Sequence, residues 1–320
     1  CLLASVCLIS AIDHEADAHN LVVIHARKAG GTTTLQWMRE IARAYNNSDG
    51  PVNVLHFEAY PFIHNKVNPS SKQNFIEFIL DKYRSSLFIL TVREPIARLL
   101  SQYDFEWRMG CQKCDHRNDL PQFNVTLANY MNYKLFNRLD AHKYKYANIE
   151  FDDFLDRIEQ IEINDDEFGV KKDSVHLVPF STYLNNYYLW MFCCDGKFCN
   201  IDKHFLGNST KLQECLQTTK QLIQRIDLVL ISEWLNDARV LHYVNRMIRK
   251  YVQPNCTEIE NHVILPPQPY PHALYHDVFG YNKMISESTY RRLQEWNEWD
   301  IKLYRYLKQI SYDRILSQNK

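Results

Sequence analysis

Apolar positions along the first hundred residues alternate between two periods. Leu21-Val22-Val23-Ile24-His25-Ala26 is a continuous, largely β-branched run, the mark of a strand buried on both faces. Two glycines break the stretch from Arg27 to Thr32. Thr33 to Tyr45 then carries Leu35, Met38, Ile41 and Ala42 at helical spacing. Asn46 to Pro51 is a turn, and Val52 to Phe57 reads as a second strand. Ser70 or Ser71 is placed to cap a helix that carries Phe75, Phe78, Ile79 and Leu80. Leu87 to Val92 is a third strand, after which Pro95 suits the first turn of a helix running to about Met109. This alternation predicts an α/β fold, a central parallel sheet with helices on both faces. In such sheets ligands bind beyond the carboxyl ends of the strands.

The rest of the chain is less regular at first. Residues 110–205 contain helices near 124–138 and 151–161, a solvated acidic patch (Asp165-Asp166-Glu167) and a Cys-rich loop. A helix over 209–225 leads into a fourth strand at Asp227–Ile231, and a helix over about 236–251 follows. Pro266, Pro267, Pro269 and Pro271 mark an extended connector. Ser286 to about Ile310 reads as one long helix with Leu293, Trp296, Leu303 and Leu307 on its apolar side. There is no internal repeat and no low-complexity tract. Residues 20–320 therefore read as a single domain, in which 110–205 is an irregular insertion.

Composition narrows the class. At 320 residues, 46% hydrophobic and 23% charged, the chain is ample for a real core. With 37 Lys+Arg against 38 Asp+Glu, the net charge of −1 offers no reason to expect nucleic acid as a partner, though a local basic site for an anion fits. Residues 1–12 are apolar but short of the ~20 residues a membrane span needs. They read as the remnant of a signal peptide or signal anchor, with a buried first strand as the alternative. Asn-x-Ser/Thr sequons stand at Asn46, Asn124, Asn208 and Asn255. The chain has nine cysteines, several close in sequence: Cys111 and Cys114, then Cys193, Cys194 and Cys199, then Cys215 and Cys256. Together these point to the secretory pathway and to disulfides whose pairing the sequence does not reveal. Cys111-x-x-Cys114 with His116 could instead begin a zinc site, but no second pair with ribbon spacing follows.

Two motifs carry candidate chemistry. The first is His25-Ala26-Arg27-Lys28-Ala29-Gly30-Gly31-Thr32-Thr33, between strand and helix. Glycines let the backbone approach a ligand, and a helix N-terminus presents N–H groups and a positive dipole end to phosphate. Thr32 and Thr33 add hydroxyls and Lys28 a charge. The Lys precedes the glycines, so this is not the nucleoside triphosphatase signature. The second is Arg93-Glu94-Pro95-Ile96-Ala97-Arg98-Leu99-Leu100-Ser101, after the third strand, which offers a guanidinium fork and a hydroxyl for another phosphate. Either alone could be a plain turn or an ordinary helix start. As a pair, each at the carboxyl end of a predicted strand, they are far more specific.

The pair resembles the PAPS-dependent Golgi carbohydrate sulfotransferases, above all the heparan sulfate 6-O-sulfotransferases, with the 2-O type also similar. The resemblance extends to His25, three residues before the Lys, and to Leu293-x-x-x-Asn297-x-x-Asp300-x-x-Leu303-Tyr304-x-Tyr306 near the C-terminus. It implies a P-loop-like fold and PAPS as co-substrate. Lys28, Ala29, Gly30, Gly31, Thr32 and Thr33 would hold the 5′-phosphosulfate, and Arg93 and Ser101 the 3′-phosphate. It also implies a glycan acceptor, such as a sulfated polysaccharide, a type II membrane protein of the Golgi lumen, and in-line displacement without a metal. Residues 110–205, where the match is poor, would shape the acceptor site. The acceptor hydroxyl needs a base, and His is suited near neutral pH. His56, at the end of the second strand on the same rim as Lys28, is the expected base, with Lys28 stabilising the leaving phosphate. His64 is second choice as base, and His25 is read as orienting the loop. The competing readings are a protein-tyrosine sulfotransferase, a non-catalytic glycan-binding protein, and a nucleotide-dependent kinase. A kinase would want a Mg²⁺-binding Asp at a strand end, whereas Asp227 begins its strand.

Overall fold

A computed structural model of the chain describes residues 19–26, 29–45, 51–59, 75–102, 186–193, 209–254, 264–266 and 285–317. The elements are β1 (His19–Ala26), α1 (Gly31–Tyr45), β2 (Val52–Ala59), α2 (Phe75–Lys82), β3 (Leu87–Val92) and α3 (Pro95–Gln102). They continue with α4 (Tyr187–Cys193), α5 (Ser209–Gln224), β4 (Leu228–Ile231), a single 3-10 turn (Ser232–Trp234), α6 (Ala238–Val252), α7 (Glu287–Trp296) and α8 (Glu298–Ser317). The strands form one sheet in the order β2-β1-β3-β4, every pair parallel. The α/β expectation thus holds.

The parity of residues along each strand decides which side they face. Leu21 and Val23 of β1, Leu87 and Ile89 of β3, and Leu228 and Leu230 of β4 join Trp37, Met38 and Ile41 of α1 and Val244 and Ile248 of α6 in one apolar layer. Val22, Ile24, Phe88, Leu90, Val92, Val229 and Ile231 point the other way, into a layer built from α2, α4, α5 and α8. A strand buried on both faces needs the unbroken apolar runs seen at 21–24 and 87–90.

The chain leaves β1 through α1 to β2 at one side, then crosses back to β3 at the other. The strand order therefore reverses between β1 and β3, and the crevice at their carboxyl ends is the ligand-binding position of this architecture. Thr91 closes the floor of that crevice: its Oγ1 donates to Thr34 Oγ1 of α1 at 3.2 Å, both side chains fully buried. At the opposite end of the sheet the Asp227 carboxylate accepts from the Phe88 N–H at 2.8 Å, far from the site.

Two readings of the sequence need correction. The terminal helix is broken at Asn297 into α7 and α8. No Pro or Gly marks the break; a side chain from elsewhere makes it, because Asn186 Oδ1 accepts from the N–H groups of Trp299 and Asp300, 3.0 Å each, and so caps α8. Within 110–205, a stretch expected to be irregular, residues 187–193 form the short helix α4. The helices expected at 124–138 and 151–161, the Cys111–Cys114–His116 group, the asparagines of the four sequons and residues 1–12 lie outside the described residues. A disulfide joins Cys193 of α4 to Cys215 of α5. Among the described residues no helix is long and apolar enough to cross a membrane.

Candidate active site

The loop after β1 is shaped by two glycines with different reasons to be glycine. Gly30 takes φ +81°, a left-handed conformation that costs a residue bearing a Cβ. Gly31 starts α1 beneath the ring of His25, and a Cβ there would stand 2.0 Å from His25 Cδ2 and 2.2 Å from its Nε2. The turn is fixed by Ala29 N–H donating to Ala26 O and Thr34 N–H donating to Gly30 O, 3.1 Å each. The N–H groups of Gly31, Thr32 and Thr33 come before that first helical bond, at the positive end of the helix dipole. Thr32 is exposed and Thr33 half-buried, so this turn opens to solvent, while Ala29 is fully buried behind it. Lys28 lies outside the described residues, as does His64.

His25 is 6% exposed at the end of β1. On the neighbouring strand His56 faces the same side of the sheet; it pairs with Val23 inside β2, which runs on to Ala59, and so does not end the strand as the sequence suggested. Its Nε2 lies 2.9 Å from His25 Nδ1, and the two rings stack with centroids 4.7 Å apart at 13°. His56 is otherwise open to solvent. Partial burial of its ring, then the positive charge of Arg39 on α1, holds its pKa below the ordinary imidazole value. At neutral pH His56 is therefore an uncharged imidazole that can accept a proton.

Arg93 follows the last ladder residue of β3 and is half-buried on the same rim. Its N–H donates to Tyr188 Oη at 2.9 Å, and that hydroxyl donates to the Arg93 carbonyl at 2.7 Å. The next N–H, of Glu94, donates to Glu233 Oε1 at 2.9 Å. Glu94 in turn caps α3, its Oε2 accepting from the Ala97 N–H at 2.6 Å. Burial, with Glu233 alongside, raises the Glu94 pKa. Ser101 is on the buried side of α3, 7% exposed. Arg98, one helical turn past Glu94, is fully buried, its guanidinium 4.0 Å from the Tyr187 ring centroid.

The crevice thus gathers the Ala29–Thr33 turn, the His25–His56 pair and the Arg93 corner around the carboxyl ends of β1, β2 and β3. Helix-start amides and two Thr hydroxyls on one strand end, an Arg corner on the next and a neutral imidazole beside them suit a substrate with separated anionic groups and a hydroxyl to be deprotonated. Sequence reading missed Tyr188 and Glu233. Each lies far along the chain from the backbone it holds, and only the apolar run Tyr187-Tyr188-Leu189-Trp190-Met191-Phe192 hinted that something there was buried.

A site of this kind, on a parallel sheet with this order, is suited to an anionic ligand held across two strand ends. The family model for the sulfotransferase family matches residues 15–307, and the chain belongs to that family. It is therefore a transferase that moves sulfuryl groups, and sulfotransferases generally take them from PAPS. No curated protein and no solved structure matches the chain.

Proposed function

We propose that this sulfotransferase carries the sulfuryl group of PAPS to a hydroxyl of a glycan, a heparan-sulfate-like polysaccharide, in the lumen of the Golgi. The sequons, the cysteine content and the Cys193–Cys215 bridge support a lumenal enzyme. The motif pair and the Asn297–Tyr306 segment support the carbohydrate type. The observation that carries the reading is the placing of a neutral, partly exposed His56 against His25, whose ring rests on Gly31, the first residue of α1.

PAPS supplies an activated sulfuryl group and a nucleotide leaving group. The residues present suit its anions: the amides of Gly31, Thr32 and Thr33 with the two Thr hydroxyls would hold the phosphosulfate, and Arg93 with the largely buried Ser101 would hold the 3′-phosphate. Lys28 would place its charge where the leaving oxygen gains negative charge. His56 removes the proton of the attacking hydroxyl. Its Nε2 is engaged with His25 Nδ1, which leaves Nδ1 of His56 for the acceptor. In the neutral pair one proton lies between the facing nitrogens. With that proton on His56 Nε2, the N–H donates a hydrogen bond to His25 Nδ1, and the bond gains charge assistance when His56 becomes imidazolium. His25 thus acts on the base in the way an orienting carboxylate acts on a catalytic His.

The test is a panel of acceptors offered with radiolabelled PAPS to the purified protein: desulfated and N-sulfated heparan, chondroitin, and a tyrosine-containing peptide. Transfer to the heparan substrates above the others is expected. Preferred labelling of tyrosine would replace the glycan reading. Tight binding of the product nucleotide with no transfer to any acceptor would make the protein a non-catalytic binder.

A further inference from the structure

The C-terminal residues Asn297, Asp300 and Tyr304 stand out in the sequence, yet none of them reaches the proposed chemistry. In the structure they root two arms that hold the Arg93 corner. Arg93 lies one residue beyond the β3–β4 ladder, which ends at Val92↔Ile231. Tyr188 satisfies both of its backbone polar groups with a single hydroxyl. Tyr188 is itself fixed: its own N–H and that of Leu189 donate to the Asp300 carboxylate at 2.7 and 2.9 Å, and Tyr188 and Asp300 are both fully buried. Asn186 caps α8 while Asp300 of α8 caps α4, so the two helix starts lock each other. Asn297 adds a third tie by accepting from the Asn186 N–H at 3.2 Å. The second arm runs from Tyr304, whose hydroxyl donates to Glu233 Oε2 at 3.1 Å, to Glu233 Oε1 and the Glu94 N–H.

A guanidinium can grip a phosphate only if its Cα is held where the side chain reaches, and displacement by even 1 Å costs heavily in such a site. Past the end of a ladder a backbone has no regular partner to hold it there. We propose that Tyr188, anchored by Asp300, is a positioning residue that fixes the backbone of Arg93 and so sets the enzyme's recognition of the donor's 3′-phosphate. This rests on the reading of Arg93 as the 3′-phosphate contact. Burial, only partly offset by the Tyr188 and Leu189 N–H groups and by Arg98, raises the Asp300 pKa to about 6, so at neutral pH it caps α4 as a carboxylate.

The experiment measures, by calorimetry on the full chain, the affinities for adenosine 3′,5′-bisphosphate and for adenosine 5′-monophosphate, which lacks the 3′-phosphate. The ratio of the two is the readout, because a merely structural loss lowers both together. Arg93→Ala should remove most of the preference for the bisphosphate. Tyr188→Phe keeps the ring and should cut the preference by roughly tenfold while leaving the monophosphate affinity within about twofold, on the scale of a disturbed charged hydrogen bond. Asp300→Asn keeps the shape and one acceptor; it should shift the ratio the same way by less, and it serves as the test should Tyr188→Phe fail to fold. An unchanged ratio in the folded Tyr188 and Asp300 variants, with Arg93→Ala losing its preference, overturns the positioning role alone. An unchanged ratio in Arg93→Ala overturns the reading of Arg93 on which it rests.

Discussion

At the scale of single residues, His56 owes its suitability to two neighbours. Partial burial and then Arg39 depress its pKa, so the free enzyme keeps a neutral imidazole to a pH below the ordinary value of about 6.5. The acid limb of the kcat/KM profile should therefore lie below pH 6.5. Arg39→Gln removes the positive neighbour, raises the His56 pKa and should move that limb to higher pH, with activity near pH 6 falling more than activity at pH 8. A limb that stays put would separate Arg39 from the titrating group. Gly31 and His25 offer a second test. A methyl at position 31 meets the His25 ring, so Gly31→Ala should destabilise by about 1–3 kcal/mol, the scale of overpacking. In a His25→Ala background that cost should shrink, and thermal melts of the two single variants and the double variant measure the coupling. Additive losses would mean that the ring and Gly31 do not oppose each other. Of these residues, the glycines and Arg93 were legible because turn and strand-end chemistry is local in sequence. The Gly31–His25 contact and Tyr188 were not, since each depends on distances that only the folded chain sets.

At the scale of elements, α4 is the least self-sufficient piece of the site. With seven residues it is too short to persist by propensity, so it is held from outside by Asp300 at its start and by the Cys193–Cys215 bridge to α5 at its end. The bridge spans a sequence separation of 22, and loop-closure reasoning places its contribution at about 3 kcal/mol. Cys193→Ser with Cys215→Ser should lower Tm accordingly. It should also weaken binding of the product nucleotide, because α4 carries the tyrosine that holds Arg93. Unchanged melting would show that the packing of α4 suffices without the bridge. The sequence pointed to disulfides from the number of cysteines, while their pairing depended on a helix it did not show. Likewise the break at Asn297 carries no Pro or Gly; it comes from the Asn186 side chain, more than a hundred residues away in the chain. Strands β1 and β3, by contrast, were plain in the sequence because burial on both faces demands an unbroken apolar run.

At the scale of the whole molecule, the strand order β2-β1-β3-β4 explains why motifs from distant stretches share one crevice: the reversal between β1 and β3 opens it, and both motifs sit on the loops that leave those two strands. Because chain order and the right-handed crossover rule constrain a parallel sheet so strongly, the α/β class and the meeting of the two motifs on one rim could be read from the sequence. Acceptor preference could not, since no local pattern in 110–205 encodes a glycan surface. The central claim, that His56 is the base of a sulfuryl transfer whose donor is held elsewhere in the crevice, is tested most directly by one variant and two quantities. His56→Ala should bind adenosine 3′,5′-bisphosphate as the wild type does while its turnover with a heparan acceptor falls by a factor on the order of 10²–10⁴. Near-normal turnover would contradict the claim and move His64 into the role, and a loss of nucleotide affinity in step with turnover would place His56 in the donor pocket instead.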